Sequence, residues 1–337
     1  MGVDALKLTA YLGERDRAGG RFLAHALVDR FAAAGVAVSC VFRGAEGFGA
    51  KHHLRTDRLL TLSEDLPVVV LAVDRRDRIE ALVPAVRDLL GGGLLTLEAA
   101  RRLDDGEHPA TWEDGDAAKL TVYVGRQERF DARPAAAGVV ALLHRHGVAG
   151  ATALLGVDGT VHGVRRRASM FGSNGQVPVM VVSVGDPERI AAVVPELHAR
   201  MRHPLTTLER VRVLRRDGAP LAEPPAASGA APWHKLTVYA SEQTGAHHAL
   251  VRRLRAEGAA GATALRGFWG YHGDHEPHGD RFWALRRRVP VVTTVVDRPQ
   301  RMARWLQIAA DLTPDAGLVT AERVPVAEIS GGPEPAA

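Results

Sequence analysis

Four groups of residues in this 337-residue chain have types and spacing suited to chemistry, and three of them recur. Glycine pairs spaced Gly-x-x-Gly occur as Gly44 and Gly47, Gly156 and Gly159, and Gly267 and Gly270. Without a Cβ, such positions let backbone N–H groups close around an anion, although a bulge or tight exit turn uses the same residues. Arginines are contiguous at Arg165, Arg166 and Arg167 and at Arg286, Arg287 and Arg288, while Lys51, Arg55 and Arg58 are interspersed at the corresponding place earlier. Guanidinium groups grip phosphate bidentately and never lose their charge; on a solvated loop they do no more than keep an edge soluble. Glu98, Glu209 and Glu322 each come two residues after a threonine. A carboxylate there can take a ribose hydroxyl, or it can simply pair with a neighbouring cation. His272, His275 and His278, with Asp274 among them, form the densest set of metal-ligand types. Imidazoles suit a divalent transition ion, but the spacing fits no closed zinc pattern, so metal is the minor reading.

What is missing bounds the function. There is no phosphate-binding P-loop, no nucleophile elbow, no cysteine nucleophile with a base and no recurring pair of carboxylates, so the expectation is a protein that is not an enzyme. With 46% hydrophobic and 24% charged residues the composition is globular, and a net charge of +4 with scattered basic residues does not call for nucleic acid. The single cysteine, Cys40, suits a reducing compartment. No basic-then-apolar leader is present, nor any run of roughly 18 apolar residues such as a membrane span needs, so a cytoplasmic protein is expected.

The elements that must position these residues come in triplicate. Lys7-Leu8-Thr9-Ala10-Tyr11, Lys119-Leu120-Thr121-Val122-Tyr123 and Lys235-Leu236-Thr237-Val238-Tyr239 each open a stretch reading strand, helix, strand, long segment, strand, helix, strand. In the first, helical spacing joins Phe22, Leu23, Leu27, Val28 and Phe31, and Gly35 is placed to end the helix. The boundaries drawn from composition are repeat 1 at 1–103, an acidic linker at 104–118, repeat 2 at 119–215, a Pro/Ala-rich linker at 216–234, repeat 3 at 235–326 and a tail at 327–337. The order is that of the split βαβ, so the fold class expected is α+β, with three tandem ferredoxin-like βαββαβ domains. In Val68 to Val73 and Val177 to Val184 apolar residues occupy both alternations, so both faces of each sheet should be buried. Two helices cover only one face. The expected solution is an intramolecular pseudo-trimer, three sheets facing one another in a monomer with internal pseudo-threefold symmetry.

The run Leu62-Ser63-Glu64-Asp65-Leu66-Pro67-Val68-Val69-Val70, with Gly47-Phe48-Gly49 before it and Thr96-Leu97-Glu98 after it, resembles the family called domain of unknown function 190. Those proteins are similar in fold to the PII signalling proteins. The resemblance implies a PII-like domain with ligand clefts between neighbours and a long loop used for ligand or protein-partner contact, with an adenine nucleotide as the cofactor type it suggests. Nucleotide-binding PII proteins carry a Gly- and Lys-rich loop before the last strand. Here that place reads Gly91-Gly92-Gly93, Arg202-His203-Pro204 and Pro314-Asp315-Ala316-Gly317. Only the first is permissive for phosphate, so the three clefts are expected to differ.

Overall fold

In a computed structural model of the protein, the described residues are 4–49, 55–56, 65–90, 93–103, 116–165, 177–202, 204–226, 233–273, 276–279, 289–324 and 326–330. Repeat 1 comprises β1 (Ala5–Gly13), α1 (Leu23–Ala33), β2 (Val38–Arg43), β3 (Glu46–Phe48), β4 (Pro67–Arg75), α2 (Arg76–Leu89) and β5 (Gly93–Arg102). Repeat 2 follows with β6 (Asp116–Gly125), α3 (Ala135–Arg145), β7 (Gly150–Leu155), β8 (Asp158–Val161), β9 (Pro178–Gly185), α4 (Pro187–Arg200) and β10 (Leu205–Arg216). Repeat 3 has β11 (Trp233–Ser241), α5 (Ala246–Ala256), β12 (Ala262–Arg266), β13 (Trp269–His272), β14 (Pro290–Asp297), α6 (Met302–Leu312) and β15 (Leu318–Val324). A last strand, β16 (Val326–Ser330), ends the described chain.

Local chemistry explains the element ends. Asp186 caps α4 by accepting from the N–H groups of Glu188 and Arg189 at 3.0 and 3.2 Å, with Pro187 in the first turn where its missing N–H costs nothing. Leu23, Leu27, Val28 and Phe31 form the buried stripe of α1. Phe22, counted in that stripe by spacing, instead precedes the helix and is 39% exposed, with the Arg17 guanidinium over its ring. Gly35 follows the helix at φ +63°, a left-handed turn that a side chain would strain.

Each repeat is an antiparallel four-stranded sheet. In repeat 1 the order is β2-β4-β1-β5, with Leu8 opposite both Ala72 and Leu97. Repeats 2 and 3 give β7-β9-β6-β10 and β12-β14-β11-β15. The α+β class with three ferredoxin-like units is thus what the fold displays. Both alternations of β4 are buried, as its apolar pattern requires. Val68, Val70 and Ala72 join the core under α1 and α2, while Val69, Leu71 and Val73 pack on the other face with Tyr123 and Leu154 of repeat 2.

Strand pairing crosses every repeat boundary. The short strand after each glycine pair adds to the second strand of a neighbour: β3 to β12, β8 to β2, and β13 to β7. Repeat 1 therefore sits on repeat 3, repeat 2 on repeat 1 and repeat 3 on repeat 2, which closes a head-to-tail cycle. The last strands also meet, since β10 pairs with β5 and with β15, and β16 returns to β5. Several strands run into stretches whose composition reads as linker or tail. β6 begins at Asp116, opposite Arg212, β11 begins at Trp233, and β16 lies at 326–330. Gly, Pro and acidic content marks where pairing is weak, but ladder register decides where it stops. Among the described residues, no helix is long and apolar enough to cross a membrane.

Candidate functional site: a buried charge ring and the cleft beside it

The lysine that opens each repeated pentapeptide lies directly across the ladder from the glutamate of the last strand: Lys7 opposite Glu98, Lys119 opposite Glu209, Lys235 opposite Glu322. Cross-strand neighbours on one face are close enough to pair, and their Nζ to Oε2 distances are 2.8, 2.9 and 3.2 Å. Each ammonium also reaches the glutamate of a second repeat. Lys7 donates to Glu209 at 2.5 Å, Lys119 to Glu322 at 2.5 Å, and Lys235 to Glu98. Six side chains thus alternate in charge around a ring that draws on all three repeats, and every one of them is buried.

A ring so arranged solves a desolvation problem. Carboxylate oxygens of Glu98, Glu209 and Glu322 come within 4.8 Å of one another, a repulsive approach for three buried anions. The three ammoniums between them return the net charge to zero, and charge-assisted hydrogen bonds replace the lost water. Burial alone pushes Lys7 toward neutrality, but Glu209 and Glu98 outweigh it and hold its pKa well above the ordinary lysine value. Lys235 is raised in the same way, with Glu322 and Glu98 outweighing burial. Lys119 ends lower than an ordinary lysine, because burial prevails over Glu209 and Glu322 and the other two lysines oppose its charge. Against their own burial, Glu98 is held well below the usual carboxylate value by Lys235 and Lys7, and Glu209 is lowered by Lys119 and Lys7. Burial also raises the phenols of Tyr11, Tyr123 and Tyr239, the last residues of the three pentapeptides, so they stay protonated.

The glycine pairs stand where one repeat enters the sheet of the next. A Cβ on Gly47 would sit 2.7 Å from the Ala262 carbonyl oxygen, one on Gly159 2.0 Å from that of Ser39, and one on Gly270 2.3 Å from that of Ala151. Gly44, Gly156 and Gly267 face Pro67, Pro178 and Pro290 at 2.6 to 3.0 Å in the same sense. Close backbone approach between repeats accounts for Gly47, Gly159 and Gly270, whereas Gly44, Gly156 and Gly267 are crowded by the proline that opens a strand of their own repeat. Gly93, with φ +125°, lies against the Tyr11 carbonyl; Gly91 and Gly92 are outside the described residues.

The side chains at the three junctions differ although their backbones match. Between repeats 1 and 3, fully buried Glu46 accepts from His248 of α5, and the Arg252 guanidinium is 3.7 Å from its other oxygen. Between repeats 2 and 1, Arg165 pairs with buried Asp158 at 2.6 Å and with Asp29 of α1. Between repeats 3 and 2, Trp269 packs on the core of repeat 2 and the Tyr271 hydroxyl donates to the Val148 carbonyl at 2.7 Å. Arg58, Arg166, Arg167, Arg286, Arg287, Arg288 and His275 fall outside the described residues, as does the side chain of Arg55. His272 bonds Asp217 at 2.6 Å, and His278 the Glu276 carbonyl at 3.0 Å.

The junction between repeats 1 and 3 holds open space. Beside Gly49, at the end of the glycine exit of repeat 1, a slot of about 30 Å3 is bounded by Tyr11, Phe48 and Leu94 of repeat 1 and by Gly261, Ala262 and Val296 of repeat 3. Three segments of the chain, residues 5–102, 117–213 and 233–326, match the model of DUF190, a family described as an uncharacterized ACR. The chain belongs to this family. Each DUF190 segment carries its own copy of the Lys, Glu and glycine-pair positions, so the ring and the junctions are features of three family domains meeting in one polypeptide. Among solved structures, the chain is similar to aspartate kinase from Synechocystis at 11% identity and a TM-score of 0.28, over 95% of this chain and 44% of that one. The chain therefore spans less than half the length of that protein, and a likeness this slight carries no argument.

The lysines of the ring are the positions that sequence reasoning passed over. Their signal was present, because a lysine opens all three strand-forming pentapeptides and a Thr-x-Glu lies in the last strand of all three repeats. A charge repeated inside a buried strand needs an opposite charge repeated on the strand beside it.

Proposed function

We propose that the chain is a small-molecule sensor of the PII-like kind, not an enzyme, which holds a nucleotide or similar anion in the cleft between repeats 1 and 3. The observation that carries this reading is the slot beside Gly49. It is mostly apolar and narrow, with room at ~10–15 Å3 per water-sized probe for only about two or three non-hydrogen atoms, so it would take one edge of an adenine base, with the rest of the nucleotide outside it. From Gly49 the sequence continues directly into Lys51, Arg55 and Arg58, residues of the right charge for the phosphates, and Leu94 on the other wall follows the only triple glycine before a last strand. The long segment between the second and main central strand would then report occupancy to a protein partner. We place the sensor in the cytoplasm, where a lone buried thiol such as Cys40 needs no partner.

The test is a thermal-shift panel of AMP, ADP, ATP, inorganic phosphate and divalent metal ions on the full chain and on Gly49→Trp. A Cβ at Gly49 meets nothing within 4 Å, so a side chain can start there, and the indole, larger than the slot, would cover its mouth. A nucleotide at ~100 times its Kd stabilises by about 2.7 kcal/mol. That gain is expected in the natural chain and not in Gly49→Trp. Stabilisation by metal ions alone, or by no member of the panel, would remove the reading.

A further inference from the structure

The sheet faces turned away from the helices do not close on one another completely. Between them lies a central cavity of about 90 Å3, partly open and adjoining the slot described above. At ~10–15 Å3 for each water-sized probe, this is room for roughly six to nine non-hydrogen atoms. On one side it is bounded by the charge ring, through Lys7, Lys119, Lys235, Glu98 and Glu322. On another it is apolar, with Phe42, Leu71, Leu154, Met180 and Leu265.

The ring leaves specific hydrogen-bonding capacity unused. An ammonium has three donors, and the ring engages each lysine with two carboxylates: Lys7 with Glu98 and Glu209, Lys119 with Glu209 and Glu322, Lys235 with Glu98 and Glu322. Glu322 meets both of its lysines through Oε2, and its buried Oε1 has no hydrogen-bond partner. A buried acceptor without a donor is unfavourable, so a molecule whose ammonium reaches it after a turn of the Glu322 carboxylate towards the cavity is bound more tightly. A plain anion in this cavity would face Glu322, and a plain cation would face the lysines. A molecule carrying an ammonium and a carboxylate on one carbon meets both demands, and an aliphatic group on that carbon lies against the apolar wall.

We propose that the central cavity is a binding site for a small aliphatic zwitterion, an α-amino acid no larger than valine, with its carboxylate on ring lysines, its ammonium on Glu322 and its side chain towards Leu154 and Met180. Tyr11, Thr263 and Thr294 bound both this cavity and the slot between repeats 1 and 3, so they form the wall through which a molecule passes from the cleft. Tyr11 is partly exposed, whereas its counterpart Tyr123 is buried. This site stands independently of nucleotide binding in the outer slot.

Calorimetric titration of the full chain with L-alanine and L-valine tests the proposal, with isovalerate lacking the ammonium and isobutylamine lacking the carboxylate as companions. Saturable binding of one amino acid per chain is expected, at least tenfold tighter than either companion. Met180→Trp fills the cavity from its apolar wall, leaves all six ring charges in place, and should weaken amino-acid binding more than tenfold. Its unaltered response to nucleotides would separate this site from the outer slot. Absence of amino-acid binding to the natural chain, equal binding of isovalerate or isobutylamine, or full binding by a folded Met180→Trp would each overturn the proposal.

Discussion

Lys7 on the first strand of repeat 1 donates to Glu209 on the last strand of repeat 2 across 2.5 Å, over a sequence separation of 202 residues. Both partners are buried, so each stands in for most of the water the other has lost. The pair ties two family domains together and fixes which edges face each other. Hydrophobic contact alone would tolerate sliding, whereas a buried charge has few acceptable positions.

Removing one member of the ring should therefore be costly. Lys7→Met leaves Glu98 and Glu209 with one lysine each and an unbalanced buried charge, and a loss of about 3–5 kcal/mol is expected in urea unfolding. Adding Glu209→Leu to Lys7→Met restores the charge balance and should recover part of that loss. Additive losses in the double variant would show that the two residues do not interact.

The same ring sets the pH range of stability. Glu98 and Glu209 have folded pKa values below the ordinary 4.5. The unfolded chain thus takes up their protons first, and the stability they contribute is complete above about pH 4.5 and lost as pH falls through the folded values. Lys7 and Lys235 have folded values above 10.5. Their contribution is complete below about pH 10.5 and lost as pH rises through those values, while lowered Lys119 has the opposite sign and offsets part of it. Urea midpoints measured from pH 7 down to about pH 3 should decline only at the acid end. A midpoint unchanged at pH 3 would contradict the assignment.

Glycine substitutions should separate packing from freedom at the exits. Gly159→Ala drives a Cβ into the Ser39 carbonyl and Gly270→Ala one into that of Ala151, so each should cost more than ~2 kcal/mol and loosen its junction. Gly49→Ala, with open space around it, should change stability by less than ~0.5 kcal/mol. Equal effects at the three positions in a thermal melt would dissociate these glycines from the junctions.

Arg165→Ala should weaken the junction between repeats 2 and 1. It leaves the buried Asp158 carboxylate without its guanidinium, and small-angle scattering should register a more extended chain near the unfolding midpoint than the natural chain gives. A variant as compact as the natural chain throughout the transition would confine Arg165 to a surface role.

Much of this architecture was legible in the amino-acid order. The repeated Lys-Leu-Thr-x-Tyr strand, the helix-ending Gly35 and the doubly apolar Val68–Val73 run lead to three ferredoxin-like units with both sheet faces covered, because periodicity reports burial directly. Register between repeats was not legible. Nothing local to Gly159 says that its neighbour is the Ser39 carbonyl, and nothing near Glu98 says that its cations come from Lys7 and Lys235. The arginine triplets drew attention through density in sequence, yet the charges that the fold brings together are single residues spread over three repeats. Strand ends such as Asp116 and Trp233 were hidden for a related reason, since pairing is settled by a distant partner and composition is not.

The central proposal is that three family domains in one chain have become unequal, and that the junction between repeats 1 and 3, which holds the slot beside Gly49, takes the ligand. Calorimetric titration with whichever nucleotide stabilises the chain tests this directly. The account predicts one nucleotide per chain in a single transition that Gly49→Trp abolishes. Three equivalent sites per chain, or one site indifferent to Gly49→Trp, would contradict it.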